Sequence, residues 1–299
     1  MQIALASLWL VASPLIAAAQ GARFDANLLG RIRTEAHTIP GALPQTVQYL
    51  SIAEKYAPLG QVVEGGGETP WDGVITVFQI CFPTGWIMVD AALPEAVHNA
   101  RRGDRPFLYR PARYQQAQGA LLGASSILIT HEHGDHVAGL LDSMVAGRLA
   151  PFTHLTVVQV RSLLERAEPP LSFTHELAAR YPVFEYDDLR PIAPGVVLVA
   201  APGHTPGSQL VYVVLGSGRE ILLIGDVAWA ITGVRRAKQK PVETSTRLRE
   251  NRALIAPELT WLQTVMRRTK VVVVPSHDGD WLRQLTRQGI LVDTLVQSP

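Results

Sequence analysis

A single cysteine, Cys81, leaves the chain no internal disulfide and no thiolate metal site, so any metal must be held by histidine and carboxylate. Cys81 lies in an apolar run, residues 77–82, where a buried and inert thiol is expected. An excess of one charge is missing too: 27 Lys plus Arg stand against 26 Asp plus Glu, a net charge of +1. No nucleic-acid partner is expected, because such binders carry a basic excess or stripe. The nearest approach, Arg235-Arg236-Ala237-Lys238-Gln239-Lys240, reads as a short solvated loop. Long apolar runs are confined to the start of the chain, and no later segment reaches the roughly 18 apolar residues of a membrane span. Charged side chains are absent before Arg23, and the apolar stretch there ends in Ala17-Ala18-Ala19. This pattern predicts a signal peptide over residues 1–19 and an exported protein, periplasmic or secreted. The alternative is an uncleaved N-terminal membrane anchor, since no Lys or Arg precedes the apolar core.

What the chain does have is apolar material: 47% of its 299 residues are hydrophobic, enough for a sizeable core. Residues 20–70, with Pro40, Pro44, Pro58 and Gly65-Gly66-Gly67, are expected to be an irregular segment wrapping a domain at residues 71–299. Strands are expected at 73–80 and 86–90, about a Phe82-Pro83-Thr84-Gly85 turn. Further strands fall at 125–130, 155–160, 195–201, 209–215, 220–225 and 270–275. Helices are expected at 94–101, 111–122, 136–146, 172–180, 244–268 and 278–288. Two blocks of strands, each followed by helices, suit an α/β fold of the αββα four-layer sandwich type. The pattern by itself leaves a doubly wound sheet open.

The densest chemical signal is Thr130-His131-Glu132-His133-Gly134-Asp135-His136, directly after a buried strand. Side chains two apart in extended backbone share a side, so His131, His133 and Asp135 can face one cavity, and a turn brings His136 round. Imidazoles with a carboxylate suit zinc, iron, manganese or cobalt rather than calcium or magnesium. Three later positions repeat the theme of a ligand-type side chain after a strand. They are His204 in Pro202-Gly203-His204-Thr205-Pro206-Gly207, Asp226 after Leu222-Leu223-Ile224-Gly225, and His277 after Pro275-Ser276. A carboxylate ending an apolar strand is costly to bury unless paired or metal-bound. His37, His98, His154 and His175 read as ordinary surface or loop histidines. Glu132, Asp278 and Asp280 are candidates to orient imidazoles, the last two equally to cap a helix.

The set His131-x-His133-x-Asp135-His136, His204, Asp226 and His277 resembles the metallo-β-lactamase superfamily over roughly residues 73 to 285. The resemblance implies that His131, His133 and His204 hold a first metal and Asp135, His136 and His277 a second, with Asp226 bridging. Two divalent ions, zinc foremost, are the implied cofactors. β-Lactamases proper usually lack an aspartate at the position of Asp226, so the branch implied is that of lactonases, thioesterases and phosphotriesterases. The loop around His204 and the spacing to Asp226 look most like the N-acyl homoserine lactonases and their organophosphate-hydrolysing relatives. Those lactonases carry a tyrosine where this chain has Trp229, which is expected instead to line an apolar pocket. The implied activity is hydrolysis of an ester, lactone or related bond of a small molecule, with Asp135 or Asp226 moving the proton. The alternative on the same ligand set is an iron-dependent oxidoreductase of the persulfide dioxygenase type.

Overall fold

A computed structural model describes residues 24–102, 107–142, 144–166 and 171–297. The signal peptide expected at residues 1–19 lies outside the described residues. Among those described, no helix is long and apolar enough to cross a membrane.

Six strands in chain order build most of a first sheet: β1 (Thr46–Pro58), β2 (Pro70–Phe82), β3 (Gly85–Val89), β4 (Ser126–Leu128), β5 (Thr153–Thr156) and β6 (Val183–Phe184). A second sheet follows, made of β7 (Leu189–Ala193), β8 (Val196–Ala200), β9 (Gln209–Val214), β10 (Glu220–Leu223) and β11 (Val272–Val274). The last strand, β12 (Val292–Asp293), returns to the edge of the first sheet beside β1. The two orders are β12-β1-β2-β3-β4-β5-β6 and β11-β10-β9-β8-β7.

Three apolar layers hold the sheets and helices together. Val47, Phe78, Ile80 and Val89 from the first sheet meet Val196, Leu198, Val211 and Ile221 from the second. The other face of the first sheet packs Ile52, Val77, Met88 and Ile127 against Ala117 and Leu121 of the helix Pro111–Leu122. The other face of the second packs Val197, Val199, Leu210 and Tyr212 against Ile32 of the helix Leu28–Glu35 and Leu259 of the helix Arg252–Arg268. Strand β9 is buried at every position, as a strand covered on both faces must be. Each fully buried aliphatic side chain contributes about 1.5–3 kcal/mol. The layers run helix, sheet, sheet, helix, which is the expected αββα sandwich and excludes the doubly wound alternative.

Several local expectations need correction. The described part of the segment expected to be irregular, residues 24–70, holds the helix Leu28–Glu35 and the thirteen residues of β1, paired with β2 along its length. Val47 and Tyr49 face the second sheet while Leu50 and Ile52 face the outer helices, an alternation that the flanking prolines and glycines hid. The helix expected over 136–146 is a single turn, Gly134–Val137, because the Gly139 N–H turns aside to bond Ala92 O at 3.0 Å. The strand expected over 155–160 ends at Thr156, where a helix, Val157–Arg166, begins. Thr156 Oγ1 accepts from Gln159 N and Gln159 Oε1 accepts from Thr156 N, a reciprocal cap that outweighs the β-branched Val157-Val158 pair. The long helix expected over 244–268 is two helices, Val242–Leu248 and Arg252–Arg268, broken at Arg249, whose φ is 59°. Asn251 caps the second of them.

Candidate metal centre

All seven of the side chains singled out above come together at one end of the sandwich, each delivered by the segment after a strand. The loop after β4 and the turn Gly134–Val137 supply His131, His133, Asp135 and His136. The β8–β9 loop supplies His204, the end of β10 supplies Asp226, and the end of β11 supplies His277. They form two groups, His131, His133, His204 and Asp226 in one and Asp135, His136 and His277 in the other, with one ligand atom from each residue within 4.8 Å of the rest of its group.

Asp226 stands between the groups. Its Oδ2 is 3.7 Å from His131 Nε2 and 3.6 Å from His204 Nε2, while its Oδ1 is 3.1 Å from His277 Nε2 and 3.4 Å from His136 Nε2. In the first group His133 Nδ1 lies 3.2 Å from His131 Nε2 and 3.0 Å from His204 Nε2. In the second His277 Nε2 lies 3.6 Å from Asp135 Oδ2 and 3.2 Å from His136 Nε2. Ring nitrogens facing one another this closely cannot all be satisfied by protons, and the buried Oδ1 of Asp226 has no hydrogen-bond partner. A cation bound among these lone pairs resolves both facts, so the donor set fits one metal ion per group.

The far sides of three of the inward-facing rings are fixed by residues the sequence did not flag. His136 Nδ1 donates to Asp90 Oδ2 at 2.8 Å, His204 Nδ1 donates to Glu250 Oε1 at 2.6 Å, and His277 Nδ1 donates to Val74 O at 2.6 Å. Such partners set the tautomer and leave Nε2 facing the centre. Asp90 sits at φ 64°, a strained position held by Thr130 N and Thr130 Oγ1 as well as the imidazole. Glu250 comes from the break between the two helices that the sequence read as one. It is bound in turn by Lys240 Nζ at 2.6 Å, and Lys240 also donates to Asp226 O at 2.7 Å. Lys240, expected in a solvated loop, is 2% exposed. Glu132 orients no imidazole but accepts from Thr205 Oγ1 at 2.8 Å, and Asp278 caps the helix Gly279–Arg287 through Trp281 N. Asp280 pairs with Arg283 on the surface. His98, expected at the surface, is buried against the ring of Tyr109.

The electrostatics match the packing. Burial drives the pKa of His131 and His204 down and that of His133 to about 3, so these rings are neutral at pH 7. Burial would also lower His136, but the carboxylates of Asp90 and Asp226 hold it well above the usual imidazole range. For Asp226, burial acts upward and is overcome by His277, His136 and His131, which hold it well below the usual carboxylate range. For Asp135 burial is overcome by Lys55 and then by His136 and His277, with the same result. Glu250 is pulled to about 2, Lys240 and His204 outweighing its burial.

The centre forms the floor of a cavity of about 950 Å³ whose wall includes Trp71, Val137, Leu141, Leu163 and Trp229. Trp71 and Trp229 stack with their ring centroids 6.3 Å apart. Trp229 Nε1 donates to Asp226 Oδ2 at 2.6 Å, so the indole serves as both pocket wall and support of the central carboxylate.

A four-layer αββα sandwich with imidazoles and carboxylates converging from its strand ends defines the metallo-β-lactamase class of fold. Residues 85–256 match the family model of the beta-lactamase superfamily domain, and the chain belongs to that superfamily. Among solved structures it is similar to an N-acyl homoserine lactone hydrolase with the product N-hexanoyl-L-homoserine bound at the catalytic metal center. The identity is 16%, over 81% of this chain and 96% of that one, with a TM-score of 0.60. It is also similar to a probable metal-dependent hydrolase from Staphylococcus aureus (14% identity, 80% and 91% covered, TM-score 0.59). A dizinc quorum-quenching lactonase in complex with a product aligns too (13% identity, 81% and 91% covered, TM-score 0.53). At these identities the likeness is one of fold. No curated protein matches the sequence.

Proposed function

We propose that this chain is a metal-dependent hydrolase that cleaves an ester or lactone bond of a small molecule. The observation that carries the reading is Asp226, whose two oxygens each face one of two imidazole-rich groups at the floor of a roomy cavity. His131, His133 and His204 would hold one ion and Asp135, His136 and His277 a second, with Asp226 shared between them. Nitrogen and carboxylate donors without thiolate suit zinc. Two such ions, when bound, supply a hydroxide at neutral pH and a Lewis acid for the carbonyl oxygen.

The chain's own residues do the rest. Asp135 lines the cavity and its side chain is 12% exposed, against 3% for Asp226, so Asp135 is the better placed to carry a proton from nucleophile to leaving group. Asp226, supported by Trp229 Nε1, acts as a fixed anion. The apolar wall excludes water and takes the organic part of a small substrate. The hydrolase of like fold that holds N-hexanoyl-L-homoserine at its metal center supports a carbonyl substrate here. The indole N–H of Trp229 is already engaged by Asp226, so it offers the substrate a wall rather than a hydrogen bond, which favours esters or lactones other than homoserine lactones.

A panel of esters, thioesters, lactones and phosphotriesters, run on protein purified without added metal and analysed for its metal content, tests the reading. Chelator-sensitive turnover of an ester or lactone with two zinc per chain is expected. One iron per chain and oxygen consumption with a persulfide would replace it with the dioxygenase alternative.

A further inference from the structure

The cavity floor carries a cation that metal binding alone does not need. Lys55, near the end of β1, forms an ion pair with Asp135 Oδ2, the oxygen that lies 3.6 Å from His277 Nε2. A metal held by Asp135 and His277 would claim that oxygen, and two cations on one carboxylate oxygen repel each other. The ammonium is the mobile one: it ends a flexible stem, its side chain is 28% exposed, and it lines the cavity with Nζ 5.5 Å from the centroid of Trp229.

Two other acids on the wall are engaged elsewhere. Glu54 is held by Arg110 and by Tyr56 Oη, and Glu132 accepts from Thr205 Oγ1. Arg101 also faces Asp135, at 3.7 Å from Oδ1, and a Cβ at Gly134 would collide with its guanidinium, so glycine there lets a second cation lie over the metal-binding turn. Arg247 and Arg249 line the wall as well, against one exposed acid, Glu165. With Asp135 and Asp226 committed to metal, cations outnumber the remaining acids on a wall that is otherwise largely apolar.

We propose that Lys55 is the docking cation for a carboxylate on the substrate, exchanging Asp135 for that anion when Asp135 holds a metal. The substrate class is then an ester or lactone whose carbon chain bears a carboxylate. This rests on the hydrolase reading above.

The test compares mono-p-nitrophenyl glutarate with the neutral p-nitrophenyl butyrate on the metal-loaded protein, with metal content checked in every variant. A higher kcat/KM for the glutarate ester is expected in the native chain. In Lys55→Gln the glutarate-to-butyrate ratio falls about tenfold, the worth of one charged hydrogen bond, and Lys55→Arg keeps most of it. An unchanged ratio in Lys55→Gln overturns the proposal. Should neither ester be cleaved, the hydrolase reading fails on its own, and calorimetric binding of glutarate monoanilide and butyranilide still decides the docking. Weaker binding of the glutarate compound alone in Lys55→Gln supports it, and equal loss or no loss for both overturns it.

Discussion

At the scale of single residues, the sequence shows which side chains can bind a metal and hides those that aim them. His131, His133, Asp135 and His136 are adjacent, so their chemistry is legible without a fold. Asp90 looked like the last residue of a strand, and Glu250 like one of two acids in a long helix. Nothing local links Glu250 to His204, because their contact is made only when the sandwich closes. Glu250 neutralises the buried Lys240 while orienting His204. Glu250→Gln should therefore weaken metal binding about 10–100-fold in a chelator-competition titration. The same variant should lose stability, since removing one partner of a buried ion pair strands the other charge. Unchanged metal affinity would deny Glu250 its orienting role.

At the scale of elements, hydrophobic patterning located β8 to β11 of the second sheet, because these are short apolar runs, and missed the edge strand β7, whose residues are only half-buried. It failed where side-chain capping or chain punctuation decides the outcome, as at Thr156, at Arg249 and in β1. Leu198 is fully buried between the sheets, and Leu198→Ala should cost about 2–5 kcal/mol in denaturant unfolding. The helix Leu28–Glu35 is tied to the second sheet by Arg33, which donates to both oxygens of Glu220 at 2.7 and 2.8 Å. The Arg33 hydrogen bonds outweigh burial and pull the Glu220 carboxyl below its ordinary value of 4.5. A carboxyl depressed in the folded state adds stability above its unfolded pKa, and that stability is lost as pH falls through the folded value. The stability gap between the native chain and Arg33→Gln should thus be steady above about pH 5 and close in more acid solution. Arg33 is half exposed, so the gap itself should be small, roughly 0.2–1 kcal/mol. A gap that widens in acid would contradict the sign.

At the scale of the whole molecule, the fold places the ends of β4, β10 and β11 and the β8–β9 loop around one cavity, so stability and metal binding are linked. Ions that bind only the folded chain add RT ln(1 + [M]/Kd), about 4 kcal/mol at a thousandfold excess over Kd. Stripping the metal should lower the thermal midpoint, and restoring zinc should recover it. The central claim is that Asp226 joins two metal sites, and metal analysis of the native chain beside Asp226→Asn tests it most directly. The account predicts two ions per chain in the native protein, and in the variant at most one, with turnover lower by at least about a hundredfold. Two tightly held ions and full turnover in Asp226→Asn would contradict it.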